Sequence, residues 1–381
     1  MTLDLYVAII LAVLGALIGS FSNVLIHRLP RKQSVAFPPS ACPNCGHRLA
    51  PLDLVPILSW VALGRKCRYC GAPINGRYPL VELLTAGGYA LLGVLFPFSQ
   101  VGASVLLLCA LFTLLLVISF IDAETFTVPD ELVLPGVALG MLTGYVNDAA
   151  GATTSGLPSF QGAWQGALLG AGVLAVISLY GELVLRRFRE RRHPEYPVSY
   201  QNVALALLVG AWVGPWWGIA AGVASVLLNL VVRRPVSLPE SLVLLGFLVS
   251  MALSVSGFGP SIIDMCRDAL LAAGGMSLLA AVYWWARSPK EDDVPEEELD
   301  PVAMGFGDVK LAAMIGAFVG WASMLVTLGF AVVAGAVLGV IFAALGRGNK
   351  LPFAPYLAVG ALLTLFFGEE VLRAYLNYVG G

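Results

Sequence analysis

Two aspartates and four cysteines are the residues of this 381-residue chain whose types and spacing could do chemistry. Ile121-Asp122-Ala123-Glu124 closes one long apolar run, and Gly305-Phe306-Gly307-Asp308-Val309-Lys310 opens another. A carboxylate at membrane depth costs roughly 2.5–3.5 kcal/mol on insertion scales, so a functional role is its default explanation. If Asp122 and Asp308 face each other in a low dielectric, repulsion makes the pair share one proton. One carboxylate could then activate water while the other protonates or polarises a peptide carbonyl. Gly305 and Gly307 lack Cβ atoms and admit another chain closely, just before the helix carrying Asp308. On spacing alone, the same stretch reads equally as a glycine turn whose acid favours the helix dipole. Asp130, after Pro129, reads as an N-cap for a helix starting near Leu132, and Glu124 as water-facing. Lys310, two residues past Asp308 and off its helical face, reads as a headgroup anchor.

The cysteines form Cys42-Pro43-Asn44-Cys45 and Cys67-Arg68-Tyr69-Cys70, with 21 residues between the pairs and a glycine after each, Gly46 and Gly71. Two ligands from each tight turn suit a tetrahedral four-thiolate zinc site, and the glycines let the backbone fold around the metal. Such a closed site has no open coordination position, so its zinc is expected to fold the segment rather than catalyse. Cys109 and Cys266 read as packing residues.

The elements that must position these groups follow from composition. With 58% apolar and 12% charged residues, the chain cannot hide its apolar surface in one water-soluble core, and lipid must be its solvent. A net charge of −2 gives no footprint for nucleic acid. Leu5 to Ile26 is long enough to span a bilayer; Asp4 precedes it, and His27, Arg28, Arg31 and Lys32 follow, placing the N-terminus outside. From Arg28 to Arg77 there are eight Lys or Arg against one acid, Asp53, which marks a cytoplasmic loop-rich insert, where a reducing compartment favours metal over disulfides.

Further apolar runs lie at about 80–97, 101–121, 132–147, 164–185, 241–256, 269–286, 309–320, 323–345 and 354–368. The 30-residue run from Val203 to Val232 has Pro215 inside it and basic residues on both sides, so it is expected to be a hairpin of two short helices. The expectation is an all-α polytopic membrane protein of about twelve helices, both termini outside. Its parts are a first span (1–27), the zinc insert (28–79), membrane helices at 80–185, four further helices with an acidic linker at 186–300, and a closing part at 301–381.

Other hydrolytic chemistries fit poorly. His27, His47 and His193 all lie outside the apolar runs and outside any H-E-x-x-H, which disfavours an intramembrane metalloprotease and leaves a serine nucleophile without its usual base. At this point the residues resemble a known family. Gly19-Ser20-Phe21-Ser22-Asn23-Val24 with His27-Arg28-Leu29-Pro30, the cysteine knuckles, Tyr78-Pro79-Leu80-Val81-Glu82, Ile121-Asp122 with Pro129-Asp130, Gly305 to Lys310, and Pro352-Phe353-Ala354-Pro355-Tyr356 are similar to the bifunctional type IV prepilin peptidases. The resemblance covers roughly residues 10–145 and 300–365. It implies that Asp122 and Asp308 are the catalytic dyad of a membrane aspartyl protease of the bacterial inner membrane. It further implies removal of a short basic leader from type IV prepilins and pseudopilins at the cytoplasmic face. The new N-terminus would then be methylated with S-adenosylmethionine. No glycine-rich loop for that donor is readable, so methylation rests on the likeness alone.

The chain departs from the family in the 185 residues between Asp122 and Asp308. The common form has about eight helices, so four look inserted around 186–300; an even number returns Asp308 to the same side. A presenilin-like protease shares G-x-G-D but lacks such a zinc insert and carries a Pro-Ala-Leu motif absent here. A proton-coupled transporter would use both acids as carriers, but no inverted repeat is evident.

Overall fold

A computed structural model describes residues 3–151, 157–186, 197–234, 240–287, 305–344 and 352–380. Most of the basic block 186–192, all of the acidic linker 288–301 and the loop 347–350 lie outside the described residues. The helices are α1 (Leu3–Arg28), the short α2 (Leu58–Ala62), α3 (Arg77–Leu95), the short α4 (Phe98–Val101), α5 (Ser104–Thr125), α6 (Asp130–Ala149) and α7 (Phe160–Arg186). They continue with α8 (Tyr200–Val213), α9 (Pro215–Val232), α10 (Glu240–Val255), α11 (Ile262–Arg287), α12 (Phe306–Val319), α13 (Trp321–Ala344) and α14 (Ala354–Gly380). Among the described residues the β pairing is confined to two isolated bridges in the insert.

All but α2 and α4 fall on the apolar runs. Among the described residues seven helices, α1, α3, α5, α7, α9, α11 and α13, are long and apolar enough to cross a bilayer. By contrast α8 and α12 have 14 residues each. Fourteen residues rise about 21 Å, short of a hydrocarbon core of about 30 Å.

The expected hairpin is present. Gly214, at φ +102°, ends α8, and Pro215, which has no N–H to leave unpaired, starts α9. The two helices run antiparallel: Asn202 Nδ2 donates to Ser225 Oγ (2.6 Å) at the open end, and Gly218 sits against the Ala206 carbonyl nearer the turn.

Three boundaries differ from the sequence expectation. Helix α11 begins at Ile262, seven residues early, because Arg267 pairs with Asp264 (3.0 Å) and Asp268 (2.9 Å) and makes that charged turn tolerable in a helix. Helix α14 runs past 368 to Gly380, with Glu369 and Arg373 paired one turn apart (2.8 Å). Asp130 is not an N-cap: Pro129 occupies that position and Asp130 is the first helical residue.

The chain divides into two compact units, one reaching to Phe160 and resuming at Val326, the other running from Gln161 to Leu325. In the first, α1 lies on α3 with almost no gap. A Cβ on Gly15 would stand 2.7 Å from the Thr85 carbonyl oxygen, and one on Gly19 2.7 Å from the Glu82 Cα. Because lipid is as apolar as leucine, such close backbone approach and dispersion, rather than escape from solvent, hold membrane helices together. Beyond this seam Leu11, Tyr89, Leu92, Val105 and Leu108 form a buried cluster. The second unit holds α7 to α12, so the helices of 186–300 are packed together with the helices on either side of them.

Candidate functional site

Asp122 lies in the last turn of α5 and is 5% exposed. Its Oδ2 accepts the backbone N–H of Ala354 at 2.9 Å. Ala354 is the first residue of α14, so the carboxylate meets the positive end of a helix dipole and one of the N–H groups that a helix start leaves unpartnered. Pro352 and Pro355 bracket this start and favour a helix that begins there. The Pro352 to Tyr356 motif thus delivers a donor to Asp122.

Asp308 is the third residue of α12, half-buried in the first turn, with its N–H donating to the Gly305 carbonyl at 3.1 Å. Gly305 is the N-cap, with φ −62° and ψ 141°, a conformation open to any residue. A Cβ there would make ordinary contact, 3.6 Å from Asp308 Oδ2. Among the described residues, nothing packed against Gly305 requires a glycine there. Lys310 Nζ stands 5.8 Å from the centre of the Phe306 ring, a cation–π placement.

Glu82, also noted in the sequence, is buried in α3 and accepts the Ile57 N–H through Oε2 at 2.7 Å. It ties the cysteine insert to the membrane helices. Asn23 joins α1 to the first turn of α3, donating from Nδ2 to the Tyr78 carbonyl at 3.1 Å. Glu124 does not simply face water: it forms an ion pair with Arg77, the residue that starts α3.

The insert brings its four thiols together. The sulfurs of Cys42, Cys45, Cys67 and Cys70 all lie within 4.8 Å of one another, a set that could hold a metal ion. Cys42 and Cys70 are 3.9 Å apart, against about 3.8 Å expected between sulfurs 2.3 Å from one tetrahedral zinc. The knuckles repeat each other: the Gly46 N–H donates to the Cys42 carbonyl and the Gly71 N–H to the Cys67 carbonyl, both glycines at φ +69°. That left-handed conformation, costly for a residue with a Cβ, explains both glycines.

Backbone N–H groups of Cys45 and Asn44 pull the Cys42 thiol down. Those of Ala72, with the Asn44 amide, take Cys70 to about 6. At Cys45 the His47 N–H acts downward, but desolvation and the Cys42 and Cys70 sulfurs outweigh it and push the thiol up to about 11. Sulfurs this close cannot all ionise together without a cation, and donors aimed at them favour thiolate where one binds. Asp53 braces the pair of knuckles, accepting from Ala50 N–H (3.1 Å), Tyr69 Oη (3.1 Å) and Arg68 Nε (2.7 Å). Burial acts to raise its carboxyl, but these donors hold it below the usual carboxylate range.

A model of the bacterial Peptidase A24 N-terminal domain matches residues 13–96, and the type IV leader peptidase family matches residues 109–233 and again 234–340. The chain is 28% identical over 395 aligned residues to a prepilin leader peptidase/N-methyltransferase of Pseudomonas aeruginosa, covering 96% of this chain and 92% of the relative. It is 39% identical over 180 residues to one from Myxococcus xanthus, about half of each chain, and 27% over 386 residues to one from Burkholderia pseudomallei, covering 93% and 84%. No solved structure matches it. With its amino-terminal segment matched by one of these models and most of the remaining chain by the other, this multi-pass membrane protein belongs to the type IV leader peptidase family.

Proposed function

We propose that this protein cleaves the basic leader from type IV prepilins and pseudopilins with Asp122 and Asp308 as its acid–base pair. The observation that carries the reading is Asp122 itself: a carboxylate buried at the end of an apolar helix, fixed by the N–H that starts α14. A buried acid in that position is costly unless used. In the dyad one carboxylate takes a proton from water while the protonated partner hydrogen-bonds the scissile carbonyl. The roles reverse as the amine leaves, so the pair ends with the proton count with which it began. Asp308 follows a glycine N-cap that leaves room for an extended substrate backbone.

The leader is basic and stays in the cytoplasm while the apolar prepilin helix lies in the inner membrane, so the scissile bond sits at the cytoplasmic face. The N-terminus then lies outside. Cys42, Cys45, Cys67 and Cys70 would hold a structural zinc, which supplies a fold for the insert and no reaction chemistry. The relatives' shared name supports N-methylation of the new N-terminus as the second activity, with S-adenosylmethionine as donor. Among the described residues the insert's positive-φ glycines, 46, 64 and 71, stand in isolated turns and do not make a glycine-rich loop for that donor.

The test is to incubate the purified membrane enzyme with a prepilin and follow leader removal by mass. Asp122→Ala and Asp308→Ala should each lower cleavage by at least about a thousandfold. A folded variant of either kind that keeps cutting sinks the dyad.

A further inference from the structure

The 185 residues between the two aspartates contain a second set of the same signals. Gly210-Ala211-Trp212-Val213-Gly214 repeats as Gly316-Ala317-Phe318-Val319-Gly320, and the same spacing of 106 relates Val203, Leu205 and Ala206 to Val309, Leu311 and Ala312. In that register Asn202 stands where Asp308 stands. Upstream, Pro129-Asp130-Glu131-Leu132-Val133-Leu134 with Gly136 repeats as Pro239-Glu240-Ser241-Leu242-Val243-Leu244 with Gly246. Between these, Ala167-Leu168-Leu169 with Gly172 repeats as Ala269-Leu270-Leu271 with Gly274. The order of elements is kept: α5, α6, α7, α8, and then α9, α10, α11, α12.

Several features of the structure repeat with the sequence. Helices α8 and α12 have the same length, and each ends on a positive-φ glycine whose N–H returns to the matching carbonyl, Gly214 to Gly210 and Gly320 to Gly316. Helices α5 and α9 both stop on a left-handed residue, Phe126 at φ 54° and Arg233 at φ 55°. Four residues before that stop α5 carries Asp122, and α9 carries Asn229. Where α7 crosses α11 the contacts are reciprocal: Gly172 leaves no room for a Cβ beneath the Leu270 carbonyl, and Gly274 none beneath the Leu168 carbonyl. Contact of i with j matched by contact of j with i requires a two-fold relation. Moreover α12 packs on α7, Gly316 against Gly166 and Ala312 against Gly170, just as α8 packs on α11, Gly210 against the backbone of Asp268 and Ala269 and against Ala272. The fourth helix of each set lies on the third helix of the other.

We propose that residues 104–213 and 215–319 are two copies of one four-helix peptidase unit that have exchanged their fourth helices, and that one of the two dyads is silent. The family model likewise matches this stretch twice, over 109–233 and again over 234–340. The proposal rests on the dyad reading above for its live pair, Asp122 from the first copy and Asp308 from the second. The remaining two dyad positions carry asparagine, whose amide has no proton to take or share at neutral pH. Both asparagines are buried and used for structure. Asn202 Oδ1 accepts the Ser199 N–H at 2.8 Å and Nδ2 donates to Ser225 Oγ, while Asn229 Nδ2 donates to the Pro197 carbonyl at 3.0 Å. The four extra helices, α8 to α11, therefore add one period that keeps the packing and carries the two asparagines where the live pair has acids, and an even number of helices returns both copies to one side of the membrane.

The experiment removes one period. Deleting residues 199–304 from the full chain puts Gly305 in the place of Ser199 and Asp308 in that of Asn202. Because α7 and α12 are antiparallel neighbours, the short segment after α7 can lead directly into α12. The deleted protein should accumulate in membranes, elute as one species, and remove a prepilin leader within about tenfold of the parent rate, all of it lost on Asp308→Ala. A deleted protein that accumulates and elutes normally but leaves the prepilin intact overturns the proposal. Should it not accumulate, a full-length chain decides: residues 199–213 are replaced by the sequence of 305–319 with its aspartate as asparagine. Equivalence requires parental accumulation and cleavage from that chain, and aggregation refutes it. The dyad is judged separately, by Asp308→Ala in the undeleted parent.

Discussion

Helices α8 and α12 are two versions of one segment, and they differ where chemistry is at stake. Each has 14 residues, a terminal glycine in the same conformation, and an internal glycine, Gly210 or Gly316, against which a neighbouring helix lies directly. At their starts the resemblance stops. Gly305, Gly307, Asp308 and Lys310 in α12 face Ser199, Gln201, Asn202 and Ala204 in α8. The comparison teaches that packing and reaction make separable demands. A glycine that lets two backbones touch cannot be replaced without moving a helix, whereas a carboxylate can become an amide and keep its hydrogen bonds while losing its proton chemistry.

The sharpest way to break the comparison is to exchange the two polar groups. Asp308→Asn gives α12 the side chain that α8 carries, and leader removal should fall by at least about a thousandfold. Asn202→Ala should leave cleavage within about twofold while lowering thermal stability by about 1–2 kcal/mol through loss of the Ser225 bond. Comparable loss of cleavage from both would make α8 part of the reaction.

Next in size come the shared glycines. Gly316→Leu and Gly210→Leu each push a side chain into a facing helix, and each should cost about 1–3 kcal/mol, read as a lower unfolding midpoint in detergent. Similar losses sharpen the equivalence of the two crossings; a loss at one position alone contradicts it.

The smallest effect on cleavage is expected outside both helices. Cys67→Ser, or chelation, should release zinc measured by elemental analysis and loosen the insert, with far less loss of cleavage than Asp308→Asn causes. Because the thiols must shed protons to bind, zinc content should also fall as the pH is lowered, not as it is raised. Full zinc content in Cys67→Ser would refute the four-thiolate site.

Much of this was legible where the signal is local. The C-x-x-C-G knuckles marked the four cysteines whose sulfurs come together, because two cysteines and a left-handed glycine make a turn by themselves. Gly214-Pro215 announced the α8–α9 break because proline cannot continue a helix that must donate its N–H. Hydropathy placed the runs but lost the first turns of α11, where Arg267 neutralises two acids through neighbours that a window average does not register. The repeat was also present in the sequence, in Gly210 to Gly214 against Gly316 to Gly320 and in Pro-acid-x-Leu-Val-Leu. Apolar, glycine-rich helices all resemble one another, which obscures the repeat, and it runs in direct rather than inverted order.

The sequence by itself determined the solvent, the four cysteines that could hold a metal, the breaks between helices and the two acids worth explaining, since each follows from composition or from neighbours a few residues apart. Tertiary structure alone decided what holds Asp122, whose partner Ala354 lies 232 residues away, and how α7 meets α11 at Gly172 and Gly274. Both depend on backbone groups that every residue carries, and side-chain spacing does not encode which of those groups meet.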